Sequence, residues 1–483
     1  MSETSTYELV VGLEVHAQLL TETKLFSGDA NAFGADPNTH VSPITLGHPG
    51  TLPKMNERAI AHAVKMGLVC HSEIARVNYF ARKNYFYPDL PKGYQISQHT
   101  TPICIGGYVQ VRLQDQVKNV RLTRIHLEED AGKSIHDIDP SITCVDYNRA
   151  GVPLVEIVTE PDMNSSEEAF AFLTELRKLV RWIGVCDGNM EEGSLRCDAN
   201  ISLRRKGDPK LGTKVEVKNL NSIRNVRKAI DIEAERIQSL LDRGEAILQE
   251  TRGFDADREV TYSIRTKEDA DDYRYFPDPD LTPFIVTDHQ IEQYRRELPV
   301  LPEEWVNKLI REYQLTEYDA RILAEDNELV NYFLAITAET KNYKAVSNWL
   351  IGPVKQYCNE NNLNLDSIHI TPAQWAKLIG MLDSGKLSFS AAASKLFPVL
   401  VTQAGADPED LAQQLNMIQV SDQSDINAWA DEVINAMPDK VIEFRKGKKG
   451  LIGLFMGEVK KLSKGKADPR LANEILLQKL NQS

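Results

Sequence analysis

Two runs of this chain set a carboxylate beside an imidazole at a spacing that an extended backbone turns to one side. In Gly12-Leu-Glu-Val-His-Ala-Gln18, residues two apart share a face, so Gly12, Glu14, His16 and Gln18 stand together while Leu13, Val15, Ala17 and Leu19 face a core. The same parity in Arg121–Asp130 gathers Arg124, His126, Glu128 and Asp130, with Ile125 and Leu127 opposite. Glu156 interrupts the apolar run Val152-Pro-Leu-Val-Glu-Ile-Val158, where a lone carboxylate is costly unless a cation or hydrogen bonds compensate it. Taken together, Glu14, His16, Glu128 and Glu156 make an oxygen-rich donor set with one nitrogen ligand, suited to Mg²⁺ or Mn²⁺ rather than zinc. Alternating charges also mark the wet face of an ordinary sheet, and parity alone leaves that alternative open.

A second polar set points to phosphate chemistry. Arg196, Asp198, Asn200 and Ser202 share one strand face, and Lys214, Glu216 and Lys218 another close by in sequence. Cations opposite a carboxylate-held metal are what phosphoryl transfer requires, because catalysis there is mainly alignment and charge neutralisation. Cross-strand salt bridges would use the same residues. No phosphate-binding loop supports a nucleotide site independently: Gly132-Lys-Ser134 has the end of that motif, but Leu127 stands where its first glycine belongs. The chain also lacks a Gly/Ser-rich amidase segment and a persuasive Cys–His pair for a glutaminase nucleophile, so any nitrogen it uses must come from another subunit. Near the C-terminus, Lys440 to Lys466 carries nine Lys or Arg against Glu443 and Glu458. Within it Lys446, Lys448, Lys449, Lys460 and Lys461, interleaved with Gly450, Gly453 and Gly457, suit contact with a nucleic-acid backbone more than base stacking. A solvated helical face is the alternative reading of the same lysines.

These groups need a scaffold. At 483 residues the chain exceeds one typical core, so two or three domains are expected. Alternating runs from Glu8 to about Arg265, broken by a helix opening at Ser165-Ser-Glu-Glu168 with Phe170, Leu173, Leu176, Leu179 and Val180 as its stripe, predict an α+β domain with a mostly antiparallel sheet over 1–295. Helical periodicity then takes over. Pro302 and Thr371-Pro372 mark helix starts ahead of Trp305 and Trp375, giving a helical domain over 296–405 and a smaller helical tail over 406–483. The net charge of −14 would discourage nucleic-acid partners, which makes the basic tail the place for phosphate contact. Six dispersed cysteines without a C-x-x-C pair argue against disulfides and zinc knuckles. No apolar stretch reaches the roughly 20 residues of a membrane helix, and Met1–Tyr7 lacks the sections of a signal peptide, so the expected compartment is the cytoplasm, with no membrane partner.

Longer blocks carry a resemblance. Gly12-Leu-Glu-Val-His16, Arg82-Lys-Asn-Tyr-Phe-Tyr-Pro-Asp89, Lys92-Gly-Tyr-Gln-Ile-Ser97, His126-Leu-Glu-Glu-Asp-Ala-Gly-Lys133, Asp146-Tyr-Asn-Arg-Ala-Gly151, Glu191–Asn200, Lys214–Asn221 and Asp272–Asp280 resemble, in order and spacing, the GatB family of tRNA-dependent amidotransferase subunits from about Tyr7 onward. The resemblance implies a cradle domain related to glutamine synthetase, a helical domain and a YqeY-like tail. It further implies a ligase reaction: ATP phosphorylates the side-chain carboxylate of a mischarged Glu-tRNA(Gln) or Asp-tRNA(Asn), and ammonia released by a GatA amidase subunit displaces the phosphate, with GatC completing a heterotrimer. On matching positions Glu14, His16, Glu128 and Glu156 look like the family's metal cluster, and Lys83 and Glu128 like charged residues of the reaction chamber. Phosphate roles for Arg196, Lys214 and Lys218 are inferred from residue type alone. Many relatives carry a Cys₄ zinc knuckle where this chain has Leu25-Phe-Ser-Gly-Asp29 and Val41-Ser-Pro-Ile-Thr-Leu46, so Mg²⁺ and ATP are expected here and zinc is not.

Overall fold

The computed structural model describes residues 6–481 apart from 115, 137, 139, 140, 267–272, 419–422 and 464–466; for Thr266 and Gln423 it describes the backbone only. Asp272, Lys464 and Lys466, singled out above, lie outside the described residues. The chain divides into two compact units, Met1–Leu301 and Pro302–Ser483.

The first unit is built on a sheet of 13 strands. Those that matter for the site are β1 (Tyr7–Gln18), β2 (Ala81–Asn84), β3 (Tyr94–Ser97), β4 (Gln116–Glu129), β5 (Pro153–Thr159), β6 (Leu195–Arg205), β7 (Val215–Leu220), β8 (Glu250–Asp255), β9 (Val260–Thr266) and β10 (Arg274–Pro277). They lie in the order β9-β8-β7-β6-β1-β5-β4-β3-β2-β10. Every pairing along this path is antiparallel except that of β7 with β8. The order places β1 at the centre, with β5 and β4 on one side and β6 and β7 on the other. Helices α1 (Glu57–Val69), α2 (Ser166–Trp182) and α3 (Ile223–Asp242) pack on the strands. Their apolar faces and the sheet's Leu13, Val15, Ala17, Ile125, Leu127, Val155, Ile157 and Ile201 form the core.

Local sequence explains these elements. The first half of β1, Leu9 to Leu13, is buried throughout; from Glu14 the pattern alternates because the polar face turns to a cavity. Helix α2 is capped by Ser165, which accepts from the backbone N–H of Glu168. The stripe expected from Phe170 is rotated: Ala169, Phe172, Leu173, Leu176 and Val180 are buried and Phe170 is 39% exposed. Those buried positions follow an i, i+3, i+4, i+7 rhythm, which leaves Phe170 at the stripe's margin. A final helix, Asp288–Glu297, stays with this unit through the Lys65–Glu297 ion pair at 2.7 Å, and the Trp182 indole N–H donates to Val300 O at 2.9 Å.

The second unit is all helical and has two cores. One runs from Val306 to Ala412 around Trp349, Trp375 and Phe397, whose ring centroids lie 5.3–5.8 Å apart. The other joins Ile426, Phe444, Phe455, Val459, Ile475 and Leu480. Pro302 opens its helix, and the Trp375 helix starts from a Thr371–Gln374 capping box. The Pro408–Gln414 helix, which follows the break read near Gly405, sends Leu411 and Ala412 into the Trp375 core rather than the tail's. Among the described residues no helix is long and apolar enough to cross a membrane.

Candidate functional site

Sheet register brings the polar faces together. His16 pairs across to Glu156 on β5, and Glu156 pairs to His126 on β4, so three side chains form a row on adjacent strands. Directly opposite residues on one face lie roughly 5 Å apart, which makes convergence a consequence of register. Glu128, two residues along β4 from His126, completes the group. His16 Nε2 is 3.4 Å from Glu156 Oε2, and His126 Nε2 lies 3.2 Å from Glu128 Oε1 and 3.5 Å from Glu156 Oε2. Ligand atoms of His16, Glu128 and Glu156 all fall within 4.8 Å of one another. They stand in a cavity of about 1050 Å³ whose lining includes Glu14, Lys83, Lys214 and Lys218.

Glu128 is held by donors only. Ser97 Oγ donates to it at 2.6 Å and Gln95 Nε2 at 3.1 Å, while Lys83 stands near as a counter-charge. Burial opposes its ionisation, but the His126 hydrogen bond and charge and the Lys83 ammonium hold its pKa below the usual carboxylate value. Glu156 is likewise burdened by burial and still pulled down, by His16, His126 and Lys83. Lys83 itself would lose charge through burial, yet Glu128 raises its pKa and keeps it an ammonium. Glu14, beside the convergent three, accepts from Asn200 Nδ2 at 2.9 Å; burial and the Glu156 charge push its pKa up. Carboxylates and an imidazole, without a thiol, fit a hard divalent cation. Adding one would relieve the like charges of Glu14, Glu128 and Glu156.

His16 sets a pH dependence. Burial disfavours its protonation, but hydrogen bonding and attraction to Glu156 win and raise its pKa above the ordinary value. Without a cation, the pair's stabilisation is full below the unfolded imidazole value of about 6.5 and fades as pH rises through the folded one. A cation needs the neutral ring, so protons compete with it. Mn²⁺ affinity, followed by loss of the free-ion paramagnetic signal, is expected to fall about tenfold per pH unit below the raised value. His16→Gln should flatten that dependence, and a wild-type affinity constant from pH 8 down to 5 would count against His16 as a ligand.

The remaining expected residues divide. Lys218 reaches Asp198 at 2.6 Å and Glu216 at 3.0 Å on the cavity wall, and Lys214 lines the same wall. Arg196 is on the expected face, opposite His16, but its guanidinium is held by Asp130 at 2.7 Å and it does not line the cavity. Asp130 follows the last residue of β4 and also accepts from Gln18 Nε2 at 2.8 Å, so it braces strand ends instead of joining Glu128. Adjacent Glu129 faces the other way and is bound by Lys92 at 2.5 Å and by the Ile96 N–H at 2.8 Å. Parity puts His126 on the right face, but its position opposite Glu156 is a matter of strand order that no local pattern encodes.

In the tail, Lys446, Lys448, Lys449, Lys460 and Lys461 are all exposed. The first three lie around the turn joining helices Pro438–Arg445 and Ile452–Leu462; the others end the second helix. Lys448 pairs with Glu443 at 3.0 Å, Lys461 with Glu458, and Lys449 lies 4.3 Å over the Phe444 ring. Gly450, Gly453 and Gly457 have open space where a side chain would project, leaving bare backbone beside the lysines.

Known proteins match this architecture. The family model described as the GatB/GatE catalytic domain matches residues 9–292, and that of the GatB domain matches 331–480. Curated relatives named as the GatB-type component of aspartyl/glutamyl-tRNA(Asn/Gln) amidotransferase are similar along the whole length. Those of Bdellovibrio bacteriovorus and Geobacter sp. strain M21 are 46% and 47% identical, each over 98% of this chain and 99% of the relative. That of Thermosynechococcus vestitus is 45% identical over 99% of this chain and 97% of its own.

Proposed function

The chain belongs to the GatB family, and from that premise we propose that its sheet cavity activates and amidates the side-chain carboxyl of a glutamate or aspartate esterified to a noncognate tRNA. A carboxylate oxygen attacks the γ-phosphorus of ATP and ADP leaves; ammonia then attacks the acyl carbon, phosphate departs and the nitrogen sheds a proton. The observation that carries this reading is the convergence of His16, Glu128 and Glu156 beside the Lys83 ammonium within one cavity. Held by those three and neighbouring Glu14, a Mg²⁺ ion would neutralise phosphate charge. Lys83 is suited to orient the substrate carboxylate, and Lys214 and Lys218 to meet phosphate oxygens. Arg196, tied to Asp130, supports this wall from behind and contacts phosphate less directly than its residue type suggested.

No nucleophile for glutamine hydrolysis is evident: of the cysteines, Cys70, Cys104, Cys186 and Cys197 are buried, and burial drives their thiols upward in pKa. Nitrogen therefore comes from an amidase partner, GatA in the family, with GatC as third subunit. The exposed lysines of the tail support phosphate contacts with the tRNA. Zinc has no thiolate seat at the N-terminal loops, where Asp29 joins them by accepting from Thr45 Oγ1, from Ser27 Oγ at 3.1 Å and from the Ser42 N–H at 2.9 Å. Purifying the chain with its partners tests the whole reading. The complex should form Gln-tRNA or Asn-tRNA from the mischarged species with ATP, Mg²⁺ and free ammonia, and should contain no stoichiometric zinc. Failure to amidate either tRNA would sink the functional assignment, and one zinc per chain the loop assignment.

A further inference from the structure

One wall of the cavity takes no part in the chemistry above. Between β2 and β3 the chain runs Tyr85-Phe-Tyr-Pro-Asp-Leu-Pro-Lys-Gly93, and the segment is anchored. The Tyr147 hydroxyl donates to Pro88 O at 2.8 Å, the Gly132 N–H to Asp89 O at 2.8 Å, and the Gly93 N–H to Leu90 O at 3.0 Å. Despite that anchoring, Phe86 is 90% exposed and Tyr87 63% exposed, and both line the cavity. The Phe86 ring lies against Gly93, at φ +71°, where a side chain would meet its Cε1 at 3.2 Å. Single exposed aromatics are commonplace. Adjacent ones fixed on a braced loop at the mouth of a charged cavity are a preorganised apolar surface, whose ordering cost is met before a ligand arrives.

We propose that Phe86 and Tyr87 stack the unpaired 3′-terminal base of the charged tRNA. The inference rests on the amidation reading. In that substrate the amino acid is esterified to the ribose of the last nucleotide, so a carboxyl lying at Glu128 and Lys83 leaves the base only a few bonds back, towards the cavity mouth. Aromatic faces bind any base, because stacking needs a π surface and no hydrogen-bond code. Room for a second nucleotide exists, since the cavity's volume of about 1050 Å³ is at the upper end of the roughly 300–1000 Å³ that holds one drug-sized ligand. Triphosphate charge favours the wall bearing Lys214 and Lys218 over the uncharged rings, which leaves the rings to the tRNA end.

The assembled complex, supplied with ATP and free ammonia, tests this. Phe86→Ala and Phe86→Leu should raise the KM for charged tRNA about tenfold, as loss of one base–aromatic stack entails, while Phe86→Trp restores it and the KM for ATP stays put. Tyr87→Ala should act in the same direction. A tRNA ending in 2-aminopurine should lose fluorescence on binding the unaltered complex and keep it with Phe86→Ala, which reads stacking without turnover. An unmoved KM for charged tRNA, a rise in the KM for ATP instead, or quenching that survives Phe86→Ala would each overturn the proposal. Glu128→Gln, run in parallel, separates the two levels. If it is inactive and the Phe86 variants behave as the unaltered complex, stacking alone fails; if it too is fully active, the amidation reading fails.

Discussion

A complex carrying Glu128→Gln is expected to bind charged tRNA normally and to form amide with ATP and free ammonia some 10²–10³-fold more slowly. The magnitude is that of losing one preorganised electrostatic contact to a developing charge. Glutamine keeps the shape of glutamate but removes the negative charge that balances Lys83 and His126. It also mismatches the local hydrogen bonds, because Ser97, Gln95 and the His126 Nε2 all approach Glu128 as donors or potential donors, and an amide nitrogen cannot accept from them. That mismatch costs about 1–3 kcal/mol of folding stability, so thermal unfolding should accompany the kinetics to show that the variant is folded. Free ammonia bypasses the amidase partner, which confines the defect to this cavity. Unchanged amide formation would leave the alternative of a tRNA-binding scaffold with an ordinary acidic sheet face.

Removing the tail should produce the complementary phenotype. A chain ending at Ile418 keeps Leu411 and Ala412 in the Trp375 core, whereas a cut after Asp407 would strip them out and damage the helical bundle. The truncated complex should bind tRNA roughly tenfold more weakly or worse. The slope of log affinity against log salt should flatten by about four, if each of Lys446, Lys448, Lys449, Lys460 and Lys461 releases nearly one counterion on a phosphate. Amide formation at saturating tRNA should persist. An unaltered salt slope would show that these lysines merely solvate their helices.

What sequence could disclose here was local. Two-residue alternation placed Glu14, His16, Glu128 and Glu156 on the cavity face and their neighbours in the core, because strand parity is a property of a few consecutive residues. Which strands lie side by side is not local. The row His16–Glu156–His126 depends on β1, β5 and β4 being neighbours, although long stretches of chain separate them. Arg196 shows the same limit: its face followed from parity, but its capture by Asp130 depends on where β4 ends. Helix starts were legible where a cap or a proline announced them, at Ser165, Pro302 and Thr371. The rotation of α2 that exposes Phe170, and the packing of Pro408–Gln414 into the bundle, are decided by distant partners.

Glu128 and Glu129 point to opposite sides of one strand, the first into the cavity and the second to Lys92. Inserting or deleting a single residue between His126 and Asp130 would exchange them, driving Glu128 towards Lys92 and presenting Glu129 to the substrate from a displaced position. Evolution can therefore trade residue types around this strand far more freely than it can change its length. In a diverged descendant, an indel there would be a clearer sign of lost activity than any number of substitutions elsewhere in the sheet.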